Sequence, residues 1–228
     1  TATQTALDTK KTYHGILNRS TTAPLPTNVT TTTFTITTGT TPLTYYSQGT
    51  NTIVNTNKSC TIGSGAGLNF IYFTDDAGTI TSYDVFQGLD GDKVLVAEVY
   101  WNGVDYGIVY DERHGYDRDI AWHTWAHSTI GARYGSGLGF TFAGTTIANT
   151  TFSVASGNIY DEDINFSIGT TTQARIWYQT GATTYTFDKV LSTAPYKQNG
   201  TGIQAVNSSG YGLVTITSSN RFFNYFVY

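Results

Sequence analysis

Threonine fills 43 of the 228 positions, and that one choice narrows the folds open to this chain. A β-branched side chain loses rotamer freedom on a helix and fits the pleated, half-buried surface of a sheet. Glycine (24 residues) and tyrosine (17) are also abundant, whereas coiled coils and helical bundles are built from Ala, Glu, Lys and Leu. Disorder is excluded for most of the chain. With 39% apolar and 14% aromatic residues, it can bury enough surface to offset the entropy of ordering. Charged residues make up only 12%, about half the usual share. Hydration therefore rests on hydroxyl and amide groups, which suits extracellular, secreted or virion surfaces.

The charge that exists is unevenly spread. Residues 71–120 carry 11 of the 16 acids, while residues 1–70 carry one acid against four bases. A net charge of −4 with 12 Lys plus Arg argues against nucleic acid as a partner. No apolar run approaches the roughly 18 residues of a membrane span, so membrane insertion is not expected, and nothing near the start resembles a signal h-region. The lone Cys60 can form neither an internal disulfide nor a cysteine-rich zinc site, and reads as a small buried or half-buried hydrophobe. Methionine is absent even at position 1, so processing or truncation of the start is expected.

Along the chain, residues 1–29 hold Pro24, Pro26 and many threonines without a sustained period, and read as an extended N-terminal arm. From residue 30 onward, β-prone runs alternate with turn signals, as in a β-sandwich or a jelly-roll-like domain. Strands are expected near 30–38, 52–54, 59–63, 68–73 and 79–86. Further strands are expected near 120–133, 138–143, 150–155, 164–167, 174–179, 183–188 and 211–217. Val94–Trp101 and Val104–Tyr110 flank Asn102-Gly103, the pair favoured in a two-residue type I′ hairpin. Trp101, Trp122, Trp125 and Trp177 all fall in strand candidates, and at least two of them should be buried. Phe222, Phe223, Tyr225, Phe226 and Tyr228 make the C-terminus a terminal strand for a core or a subunit interface. No helix and no internal repeat stands out. The fold class is all-β: an arm (1–29) followed by one all-β domain (30–228).

Three of the four histidines, His114, His123 and His127, fall within fourteen residues. An i, i+4 histidine pair binds zinc when both rings share a helix face, but Thr124 stands where a zinc protease has its glutamate base. On a strand, His123, Trp125 and His127 would instead form a polar–aromatic row. Glu112, His114, His123 and His127 form a possible polar site suited to acid–base work. The plainer reading is a strand end at which Glu112 and Arg113 pair across strands and Gly115 permits a tight turn. His123, His127, Asp161, Glu162 and Asp163 are the weak candidates for metal binding. Neither Asp161-Glu162-Asp163 nor Asp90-Gly91-Asp92 has EF-hand spacing. Glu112, Asp117 and Glu162 cannot be placed as a glycosidase pair from sequence, and Tyr134-Gly-Ser-Gly-Leu138 lacks the strand-to-helix setting of a nucleophile elbow. Seven Asn-x-Ser/Thr sequons stand against about four that composition alone produces, which gives glycosylation only weak support. No catalytic residue and no cofactor is expected.

Ala97-Glu-Val-Tyr-Trp101, Tyr110-Asp-Glu-Arg-His-Gly115 and His123 with His127 follow one another in a distinctive order. Ile130-Gly-Ala-Arg-Tyr134, Ser136-Gly-Leu138 and Ser156-Gly-Asn-Ile-Tyr-Asp-Glu-Asp163 continue it. Over residues 95–165 this order resembles structural proteins of tailed bacteriophages, in the tail, fibre or capsid-appendage class. The resemblance implies a virion location and carries no catalytic residues. The expectation is a non-enzymatic structural protein of the extracellular particle, attached through its arm. Its partners would be further copies of itself, in a trimer or ring, and other virion proteins. The alternatives are a module that binds host surface glycan at a tail or fibre tip, and a polysaccharide hydrolase.

Overall fold

The computed structural model describes residues 13–89, 91–116, 118, 120–200, 202–207 and 210–216. These residues are predominantly β, in antiparallel sheets of two to five strands. The chain divides into two compact units: residues 1–133 with 160–166, and residues 134–159 with 167–228.

The first unit contains Gly15–Ile16 (β1), Asn28–Val29 (β2), Thr33–Ile36 (β3), Leu43–Ser47 (β4), Thr50–Val54 (β5) and Lys58–Thr61 (β6). Gly67–Phe73 (β7), Ile80–Tyr83 (β8), Val94–Trp101 (β9), Gly107–Asp111 (β10) and the helix Ile120–Thr129 (α1) complete it. Its largest sheet runs β2-β10-β9-β7-β8, with smaller sheets β1-β4-β5 and β3-β6. Period-2 patterning sends Phe34 and Ile36 of β3, and Thr52 and Val54 of β5, inward. Phe34, Ile36 and Val54 join Leu43, Tyr45, Ile71, Phe73, Val99 and Trp101 in one core, while Tyr72, Leu89 and Leu95 form a second, smaller cluster. The register slips between Ile71 and Tyr72, opposite Ala97 and Leu95 respectively. Val96 is therefore the extra residue of a bulge. Cys60 packs half-buried against the main core, and burial pushes its thiol up to about 11.

Residues 13–29 run along this unit. β1 pairs with β4 and β2 with β10, and Ile16, Leu25 and Val29 are buried. Residues 1–12 and the aromatic C-terminus, with Phe222, Phe223, Tyr225, Phe226 and Tyr228, lie outside the described residues.

Three local expectations need correction. The β9–β10 connection is five residues long, because Gly107 lies opposite Trp101. Asn102 closes it by accepting the N–H groups of Val104, Asp105 and Tyr106 on Oδ1 at 2.9–3.0 Å, an Asx-type arrangement that competes with the two-residue turn. Residues 120–129 are helix and not strand. Burial of two tryptophans also fails, since among Trp101, Trp122, Trp125 and Trp177 only Trp101 is buried, and Trp125 is 53% exposed.

The remaining strands are Ala132–Gly137 (β11), Phe140–Ala143 (β12), Thr151–Val154 (β13), Gly157–Asp161 (β14) and Ile164–Ile168 (β15). Trp177–Gln179 (β16), Tyr185–Phe187 (β17), Gln198–Asn199 (β18), Gly202–Val206 (β19) and Leu213–Thr215 (β20) follow. They form sheets β11-β14-β15, β12-β13, β16-β17 and β18-β19-β20. Residues 160–166, the tip of the β14–β15 hairpin, belong to the first unit. Within the second unit, Phe152, Phe187 and Tyr196 are the buried hydrophobic residues among those described.

Candidate functional site

The first unit brings together three short segments rich in ionisable side chains. The first continues β10. Glu112 donates its N–H to the carbonyl of the bulge residue Val96 at 3.0 Å, and the His114 carbonyl accepts from Ile16 N–H at 2.8 Å. The extended backbone alternates sides. Glu112 and His114 face one way, and Arg113 faces the other to meet Asp111, Thr22 and Ala23. Arg113 thus pairs with Asp111, two residues back, and not with Glu112. Gly115 forms a parallel bridge with Ile16 in place of the expected free turn.

The second segment is α1. Spacing of i, i+4 puts His123 and His127 on one helix face, with Ala126 wholly buried between them. The helix ends where Ile130 and Gly131 both donate to the Ala126 carbonyl, and Gly131 takes a left-handed φ of +56°. The polar–aromatic row expected on a strand does not form. His127 stacks on Phe86 at 5.1 Å, while Trp125 turns outward.

The third segment is the two-residue turn Glu162-Asp163 between β14 and β15. Glu162 stands at φ +50°, a conformation that costs a non-glycine residue on the order of 1–3 kcal/mol. Its side chain is 0% exposed and enters the histidine cluster.

There, His114 Nδ1 lies 2.9 Å from Asp163 Oδ1 and 3.7 Å from Glu162 Oε2. His123 Nδ1 lies 3.3 Å from Glu162 Oε2 and 3.7 Å from Asp163 Oδ1. His123 Nε2 donates to the Gly115 carbonyl at 3.1 Å. A carbonyl can only accept, so this bond fixes the tautomer and turns Nδ1 toward the carboxylates. Glu112 Oε2 stands 3.4 Å from His114 Nε2, and His127 Nδ1 stands 2.9 Å from Glu162 Oε1. Neither pair is aligned as a hydrogen bond, which leaves all four of these buried atoms without one.

Electrostatics follow from this crowding. Burial pulls His114 down, but the Asp163, Glu112 and Glu162 carboxylates outweigh it and hold the imidazole up at about 10. Burial pushes Glu162 up, yet His123, His127 and His114 overcome that and bring it down to about 2. Asp163 is likewise lowered by His114 against its own burial. His127 is raised by Glu162. Asp161 is raised by burial and by the Glu112 charge, and Glu98 is pushed up to about 7 by the same two causes.

Of the expected residues, Glu112, His114, His123, His127, Glu162 and Asp163 meet here. One ligand-type atom from each of His114, His123, Glu162 and Asp163 falls in a group spanning no more than 4.8 Å, a group that does not include His127 or Asp161. Sequence reasoning split these residues into a polar site and a separate acidic run. Nothing in the local pattern signalled that Asp163 would return to His114 across 49 positions. Glu98 was missed altogether, being a single acid in an apolar strand. Asp90 and Asp117 lie outside the described residues. The Gly-Ser-Gly stretch forms part of the exposed strand β11, leading into no helix. Beside the cluster is a cavity of about 20 Å³ lined by His14, Leu89, Leu95, His114, Ile120 and His123 among others, room for about one water.

No helix among the described residues is long and apolar enough to cross a membrane. In comparisons with known proteins, no family model, no curated protein and no solved structure matches this chain.

Proposed function

We propose that this chain is a non-enzymatic structural protein of a bacteriophage virion and that it works as a homo-oligomer. The observation that carries the oligomer is the thin core of the second unit. Every residue of β11 and β12 is exposed, with Tyr134 at 67% and Phe142 at 63%. Sheets of two or three strands need a covered apolar face to be stable, and the exposed Phe140 and Phe142, whose rings are 4.7 Å apart, are apolar surface of the kind that marks an interaction site. A second copy of the same chain suits this face, because closed homo-oligomers are the commonest assemblies. With a net charge of −4 over 228 residues, repulsion between copies is weak. The order of features over residues 95–165 supports the virion setting. A non-enzymatic role draws support from the size of the cavity beside the histidine–carboxylate cluster, about 20 Å³, far below the about 300–1,000 Å³ of substrate sites.

Light scattering on the eluting full-length chain tests the oligomer. A mass that is a multiple of 24.8 kDa is expected, and a stable monomer with protected amides in β12 and β13 would sink it. Mass spectrometry of purified particles tests the location. The chain should occur there in stoichiometric amount, and its absence overturns the virion reading.

A second reading, a host-glycan-binding module, draws on a groove of about 530 Å³ in the second unit, lined by Asp188, Lys189, Tyr196, Lys197 and Gln198 among others. A glycan array probed with the full chain supports it by a hit that Gln198→Ala removes. An array without hits ends it.

A further inference from the structure

The cluster in the first unit goes beyond the virion reading and does not depend on it. Four atoms converge from three elements: His114 Nδ1, His123 Nδ1, Glu162 Oε2 and Asp163 Oδ1. Their nitrogen-to-oxygen distances are 2.9, 3.3, 3.7 and 3.7 Å. A regular tetrahedron around an ion with bonds of roughly 2.0–2.1 Å has edges of about 3.3–3.4 Å, and the four distances scatter around that length. The longer two exceed a hydrogen bond, so hydrogen bonding alone accounts for only half of the convergence.

The unsatisfied atoms point the same way. Glu162 has a side chain 0% exposed, and its Oε1, ion-paired with His127 Nδ1 at 2.9 Å, makes no aligned hydrogen bond. Glu112 Oε2 and His114 Nε2 are also buried and unbonded although 3.4 Å apart. Leaving such atoms without an aligned hydrogen bond is costly in a protein interior. The outer partners have the arrangement that orients metal-bound imidazoles. Gly115 carbonyl holds Nε2–H of His123, and the Glu112 carboxylate faces Nε2 of His114.

We propose that His114, His123, Glu162 and Asp163 bind one divalent transition-metal ion in a closed, four-coordinate site, with Zn²⁺ the best fit. Ligation needs both imidazoles neutral, so His114 releases its proton to solvent as the ion binds, and the two carboxylates then carry a charge that one divalent ion cancels. Calcium is disfavoured, since it takes about six to eight oxygen ligands and half of this set is nitrogen. Magnesium is disfavoured for the same reason, since it takes an octahedron of carboxylate and water oxygens. The ion acts as a clamp that ties the end of β10, helix α1 and the β14–β15 turn together, so its binding energy becomes folding energy.

The untagged full-length chain is stripped with a chelator, dialysed and titrated with Zn²⁺, with bound metal counted by plasma mass spectrometry. One Zn²⁺ per chain is expected, together with a Tm rise of about 5–10 °C at a hundredfold excess over Kd. Co²⁺ should give the intense visible absorption of a four-coordinate ion in the unmutated chain, a readout that needs no variant. His123→Ala and Asp163→Asn should abolish stoichiometric binding, and Glu112→Gln should weaken it about 10- to 100-fold. The proposal is overturned by absence of bound Zn²⁺ with no response in Tm, by preference for Ca²⁺ or Mg²⁺, by a six-coordinate Co²⁺ spectrum, or by full binding in folded His123→Ala.

Discussion

Arg113 is 2% exposed, and its guanidinium is engaged on every side. Two parallel hydrogen bonds of 2.9 Å reach Asp111, and Nη1 donates to Thr22 Oγ1 and the Ala23 carbonyl at 3.1 and 3.2 Å. Arg19 adds a second cation 3.3 Å from Asp111. Burial pushes the Asp111 carboxyl up, but the hydrogen bonds and charge of Arg113 outweigh it and hold the group below the usual carboxylate range. A depressed carboxyl stabilises the fold above the unfolded pKa of about 3.9, and that contribution disappears as pH falls through the folded value. Asp111→Asn should therefore lower unfolding free energy by about 2–3 kcal/mol at pH 7, because it leaves a buried guanidinium short of its counter-charge. Urea titrations across pH should show the difference shrinking below about pH 4; a constant difference would refute the pairing. Cross-strand pairing is what the sequence leads one to expect for Glu112 and Arg113, yet Arg113 meets an acid of its own strand. On an extended chain neighbours face opposite sides, and the i, i+2 residue is the one within reach.

Helix α1 shows what an element needs beyond propensity. Ile120, Trp122, Thr124, Trp125, Thr129 and Ile130 are all residues that favour strands, and a strand is what they predict. Their burial follows the helical period instead: His123 and Ala126 are inside and Trp125 is outside. The helical signals present in the sequence were the i, i+4 histidines and Gly131. Gly131 sits at φ +56°, and a Cβ added there would meet nothing within 4 Å, so glycine is needed for its backbone conformation alone. Gly131→Ala should cost about 1–2 kcal/mol, visible as a lower urea midpoint with an unchanged slope. A neutral result would mean that the left-handed cap contributes nothing. The β9–β10 hairpin was legible as a hairpin because its flanking runs are long and apolar. Its turn was not, because the Asn102 side chain, and not the Asn-Gly backbone type, set the loop length.

At the scale of the whole molecule, the two units differ in what holds them. Both hydrophobic clusters, including the fully buried Phe34, Ile36, Ile71, Val96 and Val99, lie in the first unit. The second unit relies on hydrogen-bonded hairpins such as β12-β13, where Phe140 stacks on Phe152 at 5.5 Å and Phe142 meets Phe140 edge-on at 4.7 Å. On the homo-oligomer proposal, Phe142→Asp should convert the assembly to a species of 24.8 kDa by light scattering. In that species, hydrogen exchange of β12 and β13 should outpace that of β7 and β9 by at least about a hundredfold. An unchanged mass would place the interface elsewhere.

The sequence by itself determined the class of this protein. Threonine, tyrosine and alternating apolar residues specify strands through local sterics, and low charge with hydroxyl-rich composition follows from counting alone. Most strand positions were legible for that reason, and so was the clustering of Glu112, His114, His123 and His127 in one stretch. Only the tertiary structure decided that the stretch from 120 is a helix, that Arg113 belongs to Asp111, and that Glu162 and Asp163 close on His114 and His123. The last of these depends on bringing together groups 39 to 49 positions apart. Long-range proximity is set by how sheets and turns pack, and a carboxylate in a strained turn bears no local mark of the imidazole it will meet.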